Sequence, residues 1–590
     1  MMRHISISLV LLVLGMGTAS GMAGAQVPVA HVEGALEPDL RRGLVRVLGQ
    51  RDGPPQSRWR GLERADKATE RALTYLRSEG YYAATVRSRL GEDFTPVLEI
   101  EPGVAFRFSS IEVQFRSLES PTELERAFAP VLDLEVGDRV RARSVLDGRD
   151  RITARLRNSG YPEAGDGAYD ITIDHATGQA EAQFDFETGP FVRLGYAQLA
   201  GRDAGLRPSY IERLAPYEIG DPASLQLLRE YGARLSALDA VALADARLAP
   251  ASSSPDQSNR PVLIRAEPTP RHTLSGAISW ASDDGPGAIV SWGRRNLFGG
   301  AERLTLAARF AQRERSLSAD IYAPHWAAYG QDLRVLTQLA EERTEAFDQD
   351  VFRLEGDIQR RFSRKWSASI GAGVQSGLIK DASGEQRLTT FIAPFGALYD
   401  GRDDVLDARE GFYLELEATP GWTTGDSDVR FVRNVAEARF YQSVGSDVLV
   451  ALRARAGTVL GTTAERMPAD LRFYAGGGGS VRGYAFQDLS PLAVSARTNA
   501  VEPIGGRSLT ELSAEVRWRQ SERFGFVTFL DAGQASDDVM PGLDDLRYGA
   551  GIGVRYYPGF GPVRVDLATP INPRERDDAL QLYISIGQAF

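Results

Sequence analysis

The chain has 590 residues, and 79 acidic against 68 basic side chains give it a formal net charge of −11. This acidic balance argues against a nucleic-acid-binding protein, which normally has a basic footprint. Cysteine is absent, which excludes disulfides, thiolate metal sites and cysteine nucleophiles. The length is typical of about three to five domains.

The first 25 residues resemble a secretory targeting segment. Arg3 and His4 form a short basic region, residues 5–16 are apolar, and Ala23-Gly24-Ala25 offers a small-residue cleavage site. Beyond residue 26 the sequence has no apolar run of about 18 residues, so no membrane-spanning helix is expected there. We therefore expect an exported protein that meets a membrane through β-strands or at the surface.

An internal repeat of about 80 residues is predicted in the N-terminal half. Two helical stretches end in Gly80-Tyr81 and Gly160-Tyr161, where glycine suits the left-handed cap and the aromatic residue opens the next strand. Each repeat has the order strand, helix, helix, strand, strand, and the third is less regular. The predicted α+β domains cover residues 27–104, 105–189 and 190–268.

From residue 272 to 590 the apolar residues alternate with polar ones, which indicates strands. A soluble β-sandwich and a membrane β-barrel both produce this pattern. Strands near the roughly 9–11 residues that cross a bilayer, and polar faces that mix Arg and Glu, favour the antiparallel transmembrane barrel. Sixteen strands are predicted, with starts near His272, Gly287, Glu302, Arg315, Gln331, Val351, Trp366, Arg387, Gly411, Arg430, Asp447, Ser508, Phe524, Leu546, Gly561 and Leu580.

Catalytic motifs are not found in the sequence. The five histidines are scattered and no H-E-x-x-H occurs. The glycines at 476–479 lack the G-K-[ST] ending of a phosphate-binding loop, and Ser480 does not stand in a G-x-S-x-G turn. We expect neither an enzyme nor a cofactor or metal site.

The longest gap between predicted strands, about 460–507, is a candidate functional loop. It carries Arg482, and a guanidinium inside a barrel needs a carboxylate partner. Asp531 in Phe529-Leu530-Asp531-Ala532-Gly533 is the nearest good candidate. The alternative is a surface loop with a solvated arginine.

These blocks resemble the paired signatures of the outer-membrane barrel-assembly superfamily. One is Ser480-Val481-Arg482-Gly483-Tyr484 after the glycines, and the other contains Phe529, Asp531 and Gly533. Members combine periplasmic POTRA domains, which have the repeat order described above, with a sixteen-stranded barrel. The resemblance covers essentially the whole mature chain and implies POTRA domains at 27–104, 105–189 and 190–268, followed by a barrel at 272–590.

Within the superfamily, three repeats and the segments 278–287 and 292–300 resemble the TamA branch. That resemblance implies a factor that inserts other proteins, notably autotransporters, into the bacterial outer membrane. Its expected partners are a TamB-like protein anchored in the inner membrane, unfolded client proteins and the lipid bilayer. The first and last barrel strands would form a lateral seam, which includes Leu274, Ile278, Ile584, Ile586, Gly587 and Phe590.

Other functions stay open at this point. A two-partner-type secretion pore, a general insertase of the BamA type and a passive structural barrel each fit part of the sequence. An isolated Arg482–Asp531 pair further predicts that exchanging the two charges partly restores a damaged barrel.

Overall fold

The computed structural model describes residues 26–117, 121–201, 204–253, 258–281, 285–495, 498–558 and 563–586. The predicted targeting segment, and Gly587 and Phe590 of the predicted seam, lie outside the described residues. The chain forms two compact units. One holds the described residues up to Gly195 with 219–227 and 250–260, and the other holds the remaining residues, including the large sheet.

The first α+β group has a three-stranded sheet covered by helices. Its strands are ordered β2-β5-β4, and β2 runs parallel to β5. Leucines from both helices and from the sheet form its core. The elements are β1 (Gln26–Pro28), β2 (His31–Glu33), α1 (Pro38–Leu48), β3 (Gln50–Asp52), α2 (Arg58–Ser78), β4 (Thr85–Leu90) and β5 (Pro96–Glu101).

Two similar groups follow, with sheets ordered β6-β8-β7 and β10-β11-β9. The second group has β6 (Arg107–Arg116), α3 (Pro121–Phe128), α4 (Ala142–Arg157), β7 (Ala168–Asp174) and β8 (Gln179–Glu187). The third has β9 (Arg193–Leu199), α5 (Pro208–Leu214), α6 (Leu225–Ser236), β10 (Val241–Leu248) and β11 (Asn259–Pro268). The predicted order of strand, helix, helix, strand, strand occurs in the second and third groups. The first group has in addition the short paired strands β1 and β3, with β3 between its two helices.

The Gly-Tyr pairs end their helices as the sequence indicates. Gly80 and Gly160 have φ of +87° and +100°, a region that glycine enters without steric cost. The following Tyr81 and Tyr161 amides donate to the carbonyls of Leu76 and Leu156, at 2.9 and 3.1 Å. These bonds satisfy carbonyls at the helix end and turn the chain towards the next strand.

The second half of the chain is one antiparallel sheet in which strands that follow each other along the chain pair side by side, except that Gly384–Ile392 and Phe395–Asp400 lie end to end between the same two neighbouring strands. Its first strands are β12 (His272–Ala281), β13 (Gly285–Arg295), β14 (Arg303–Ala311), β15 (Glu314–Ala323), β16 (Gln331–Arg343), β17 (Phe347–Arg361), β18 (Trp366–Asp381), β19 (Gly384–Ile392), β20 (Phe395–Asp400), β21 (Gly411–Gly425), β22 (Val429–Val444) and β23 (Val448–Leu460). After a long loop with a small hairpin, β24 (Leu492–Val494) and β25 (Val501–Pro503), come β26 (Ser508–Trp518), β27 (Phe524–Ser536), β28 (Arg547–Tyr556), β29 (Val563–Pro570) and β30 (Gln581–Ile586).

The sixteen predicted strands correspond to seventeen described strands, because the predicted strand that begins near Arg387 is divided into β19 and β20. Among the described residues the sheet has seventeen strands. β19 and β20 follow each other with Ala393-Pro394 between them, and both pair with β18 and β21. Proline has no N–H to donate to the ladder, which accounts for a break that the alternating pattern does not reveal.

The alternation itself has the orientation of a membrane barrel. Along β27, Phe524, Phe526 and Leu530 are exposed on the outer face, whereas Val527 and Asp531 are buried on the inner face. The same division recurs along β26, β28 and β29. An apolar outer face with buried charges inside is the reverse of a soluble sandwich, so the barrel interpretation is confirmed.

Aromatic side chains cluster where several strands begin or end. The rings of Trp366 and Tyr399 are in tilted contact at one end of β18 and β20, and those of Trp518 and Phe526 are in tilted contact at the corresponding end of β26 and β27. Such rings favour the boundary between lipid and water.

Within the described residues, no helix is both long and apolar enough to cross a membrane.

A charge on the outer face should be harmful in proportion to its depth in the bilayer. Ile552 lies mid-strand on the outer face of β28 and is exposed. We expect Ile552→Arg to lower the free energy of unfolding in lipid by about 2–4 kcal/mol, and Val563→Arg at the end of β29 to lower it by about 0–1 kcal/mol. Urea titration of the protein in vesicles measures both. If both substitutions lowered the free energy of unfolding by the same small amount, the outer face of these strands would not be in contact with lipid.

Candidate functional site in the barrel lumen

The loop between β23 and β26, residues 461–507, packs into the barrel interior. A short 3-10 helix, Ala469–Leu471, and the β24–β25 hairpin give it internal structure. Its apolar side chains are buried against the inner wall. This cluster comprises Met467, Phe473, Ala475, Val481, Tyr484 and Leu489 from the loop with Val429, Phe431, Val459, Leu509 and Ala535 from the strands.

Arg482 is the most deeply placed charge of the loop, with 2% of its surface exposed. Its Nε donates to Asp531 Oδ2 at 2.7 Å, and its Nη2 donates to Asp531 Oδ1 at 2.9 Å. The Arg482 backbone amide donates to the same carboxylate at 3.1 Å. The structure thus brings the predicted partners together in a two-pronged pair, and the alternative of a solvated arginine is wrong.

Two further carboxylates surround the guanidinium. Arg482 Nη1 lies 2.7 Å from Glu515 Oε1 and donates to Asp566 Oδ2 at 3.1 Å. These carboxylates stand on β26 and β29, on either side of the Asp531 strand and its neighbour β28. The guanidinium carbon of Arg482 lies over the Phe529 ring, 3.4 Å from the ring centroid. One loop residue therefore ties together strands from β26 to β29.

The carboxylates are shared with arginines of the wall. Arg517 Nε donates to Glu515 at 2.8 Å, and Arg555 donates to both oxygens of Asp566. Arg564 Nε stands 3.6 Å from Asp566. Among the described residues, this lumenal charge cluster has four arginines, 482, 517, 555 and 564, and three carboxylates, 515, 531 and 566. Removing one member would leave a buried charge uncompensated.

Sequence reasoning missed Glu515, Asp566 and the wall arginines. Each lies at an inward position of an alternating strand, so its face could be read from the sequence. Their shared height in the barrel depends on strand register, for example Asp531 opposite Gly549 and Asp566 opposite Gly553. Periodicity along a single strand does not contain that register.

Glycines allow the loop to approach the wall closely. A Cβ at Gly549 would lie 1.8 Å from the Arg482 carbonyl oxygen, and one at Gly483 would lie 2.9 Å from the carbonyl carbon of Thr569. Gly483 also has a φ of +101°. Both positions therefore need glycine for contact between loop and wall.

The remaining motif residues hold the loop around Arg482. Ser480 Oγ donates to Glu511 and accepts from the Gly476 amide. Val481 is fully buried, and a Cβ at Gly533 would lie 2.8 Å from its Cγ2. The predicted motif residues are thus contact residues of one loop–wall interface, and among the described residues no cluster suited to a metal ion is present.

A second set of charges fixes the loop near the turn between β29 and β30. Arg574 donates to Asp488 and, at 2.6 Å, to Asp577. Burial alone would raise the pKa of Asp577, but hydrogen bonds from Arg574 outweigh burial and lower that pKa below its ordinary value. At neutral pH this contact is an ion pair.

The predicted seam residues lie on the two edges of the sheet. Leu274 and Ile278 of β12 point outward with 78% and 86% of their surface exposed. Ile584 and Ile586 belong to β30, opposite Val565 and Val563 of β29. Over the described residues β12 and β30 end the sheet order, and no ladder pairing joins them.

The fold and lumenal loop define a class of outer-membrane β-barrel with a loop locked inside. The model of the Omp85 superfamily domain matches residues 296–590, half of the chain. The chain therefore belongs to the Omp85 superfamily. Its barrel resides in the outer membrane, and POTRA domains occupy the periplasm.

The chain is also similar to individual proteins of known name or structure. The chain is 23% identical over 392 residues to the outer membrane protein assembly factor BamA of Nitratidesulfovibrio vulgaris, over 63% of this chain and 48% of that protein. It thus spans about half the length of this curated relative. The crystal structure of BamA from Haemophilus ducreyi lacking POTRA domains 1–3 matches with a TM-score of 0.71 and 15% identity, over 82% of this chain and 99% of that one. CdiB from Acinetobacter baumannii matches with a TM-score of 0.47 and 13% identity, over 82% and 91% of the two chains.

The shape of the Arg482 contacts predicts that lysine cannot replace it. A lysine ammonium keeps the charge but lacks the planar fork that reaches three carboxylates. We expect Arg482→Lys and Asp531→Asn each to lower the free energy of unfolding by about 3–5 kcal/mol, because each leaves buried charge unpaired. Urea unfolding in lipid measures the change. Asp544→Asn, at an exposed position of the turn after β27, is the matched control and should match wild type.

The network also predicts that a charge exchange fails, which corrects the expectation drawn from an isolated pair. Arg482→Asp would place a carboxylate beside Glu515 and Asp566, and Asp531→Arg would force a long side chain into a fully buried position. The double variant should be no more stable than the single ones. Restoration of wild-type heat resistance on gels would show that the three-carboxylate description is wrong.

Proposed function

We propose that this protein is an assembly factor that helps client β-barrel proteins enter the outer membrane. The observation that carries the proposal is the sheet edge at β12 and β30, which lie at the ends of the sheet order within the described residues. A strand edge in lipid exposes N–H and C=O groups that need partners. A client strand can provide them by pairing with the edge.

The exposure of β12 supports this role. Residues 272–278 are exposed on both faces, unlike the inner faces of β26 to β29. An incoming strand would therefore find an accessible ladder and an apolar outer face. Pairing there keeps the backbone of the client hydrogen-bonded while it enters the lipid.

The position of the lumenal loop favours insertion of client proteins at the barrel wall. It is less compatible with passage of a client through the lumen. Besides the charge cluster, Arg472 pairs with Asp381 of β18 at 2.9 Å, and Gln375 of the same strand donates to Asp470 at 2.6 Å. The loop is thus attached to distant sectors of the barrel. Strand exchange at an edge needs neither nucleotide nor catalytic residue, so we assign the protein no enzyme activity and no cofactor.

The finer assignment follows from the three α+β groups. Three repeats before a barrel support a factor of the TamA kind, with autotransporters as clients. A periplasmic, TamB-like protein anchored in the inner membrane is the corresponding partner. The sheet edges of the repeats give extended client segments a further place to pair.

A disulfide bond between β12 and β30 tests the proposal. The chain has no native cysteine, so cysteine pairs can be scanned along the outward faces of the two edges, with Leu274, Gly276 or Ile278 on β12 and Leu582 or Ile584 on β30. We expect an oxidised pair to abolish client insertion into vesicles and a reductant to restore it, because the edge can then no longer accept a strand.

The matched control links Ala436 and Ala456, which lie opposite each other on the interior strands β22 and β23. Directly opposed Cβ atoms stand about 4.5–5.5 Å apart, close enough for a disulfide after small shifts. This disulfide should leave insertion intact. Full insertion through an oxidised seam would contradict the proposal and would favour a secretion pore or a passive barrel.

A further inference from the structure

Tyr583 is an inward-facing residue of the last strand that the proposed function does not yet use. It is buried, with 2% of its surface exposed, in a cluster with Val527, Phe529 and Ala568. Phe529 is the ring beneath the Arg482 guanidinium. Tyr583 therefore stands between the charge cluster and the edge of the sheet.

Its hydroxyl group makes two hydrogen bonds with the backbone of the loop. The Gly483 amide donates to Tyr583 Oη at 3.1 Å, and Tyr583 Oη donates to the Tyr484 carbonyl at 3.0 Å. These groups directly follow Arg482 in the chain. A phenol that both accepts from and donates to one turn fixes that turn in position and orientation.

The loop also contacts the last hairpin at a second place, the turn between β29 and β30. Tyr484 Oη lies 3.0 Å from Asn572 Oδ1, and the Asn572 side chain donates to the Leu546 carbonyl at 3.0 Å. Arg574 adds its contacts with Asp488 and Asp577 in the same turn. Two separate groups of contacts thus join the loop to the segment that includes β29, the turn and β30.

The opposite edge has a different environment. In β12, residues 272–278 are exposed, and these described residues form no hydrogen bond with the lumenal loop. The hydroxyl of Ser275 pairs with Ser291 of β13 at 2.7 Å, which is within the sheet. The two sides of the seam are therefore held unequally.

We propose that Tyr583 is a positioning residue that binds the last strand to the lumenal loop, so that β12 is the side of the seam that moves. The inference rests on the proposed function for its biological meaning but makes a separate physical claim. Loop and β30 form one body through Tyr583. Opening of the seam displaces β12 and the strands next to it.

The test uses Tyr583→Phe, which keeps the ring and its packing and removes only the hydroxyl. Tyr556→Phe on the outer face of β28 is the matched control. The Gly483 amide then loses its acceptor, so its hydrogen exchange, followed by mass spectrometry, should become about fivefold faster in Tyr583→Phe. Exchange in Tyr556→Phe should match wild type.

Spin-label distances on the same proteins test the unequal seam. Gly479 is exposed, and a Cβ there meets no atom within 4 Å, so Gly479→Cys provides the loop label. Leu582→Cys marks β30 and Leu274→Cys marks β12. In wild type we expect a narrow 479–582 distribution and a broad 479–274 distribution, and Tyr583→Phe should broaden the first.

Two results would overturn the inference. One is a 479–582 distribution as broad as the 479–274 distribution in the wild-type background. The other is Gly483 exchange and label distances unchanged by Tyr583→Phe. Failure of the proposed insertion function would leave both distances as expected here, so the two failures can be told apart.

Discussion

The structure depends on a guanidinium buried in a cage of carboxylates. Arg482 enters the barrel from a loop and meets Glu515, Asp531 and Asp566 from three strands. Burying charge is costly unless geometry and hydrogen bonds compensate it. The close approach at Gly549 and the buried loop cluster around Val481 are consequences of placing that one side chain.

This constraint explains how a barrel whose first and last strands share no ladder pairing among the described residues can remain stable. The charge cluster joins strands that lead to the last edge, so the wall from β26 to β29 does not depend on closure at the seam. The first edge lies outside this reinforcement. An opening that would disrupt an ordinary barrel is thereby confined to one line between two strands, where a client strand can pair.

Much of the fold could be predicted from the sequence because the signals are local. Gly80 and Gly160 mark the helix ends, and the alternation along β26 and β28 gives the lumenal face. The break at Ala393-Pro394 was missed because one proline interrupts a ladder without changing the period. In the site, Arg482 and Asp531 can be predicted because a guanidinium inside a barrel needs a carboxylate partner and because both motifs resemble those of a known family. Glu515 and Asp566 cannot be predicted in this way, because their height relative to Arg482 depends on the register of four strands.

Site-specific crosslinking during insertion tests the central claim most directly. A photoreactive benzoylphenylalanine at Leu274 lies on the outer face of the first edge, and one at Leu339 lies on the equally apolar outer face of the interior strand β16. The account predicts that a client arrested during insertion crosslinks at position 274 and not at 339. Crosslinks at the lumenal position 437 of β22, with none at 274, would show that clients pass through the barrel, and the account would be wrong.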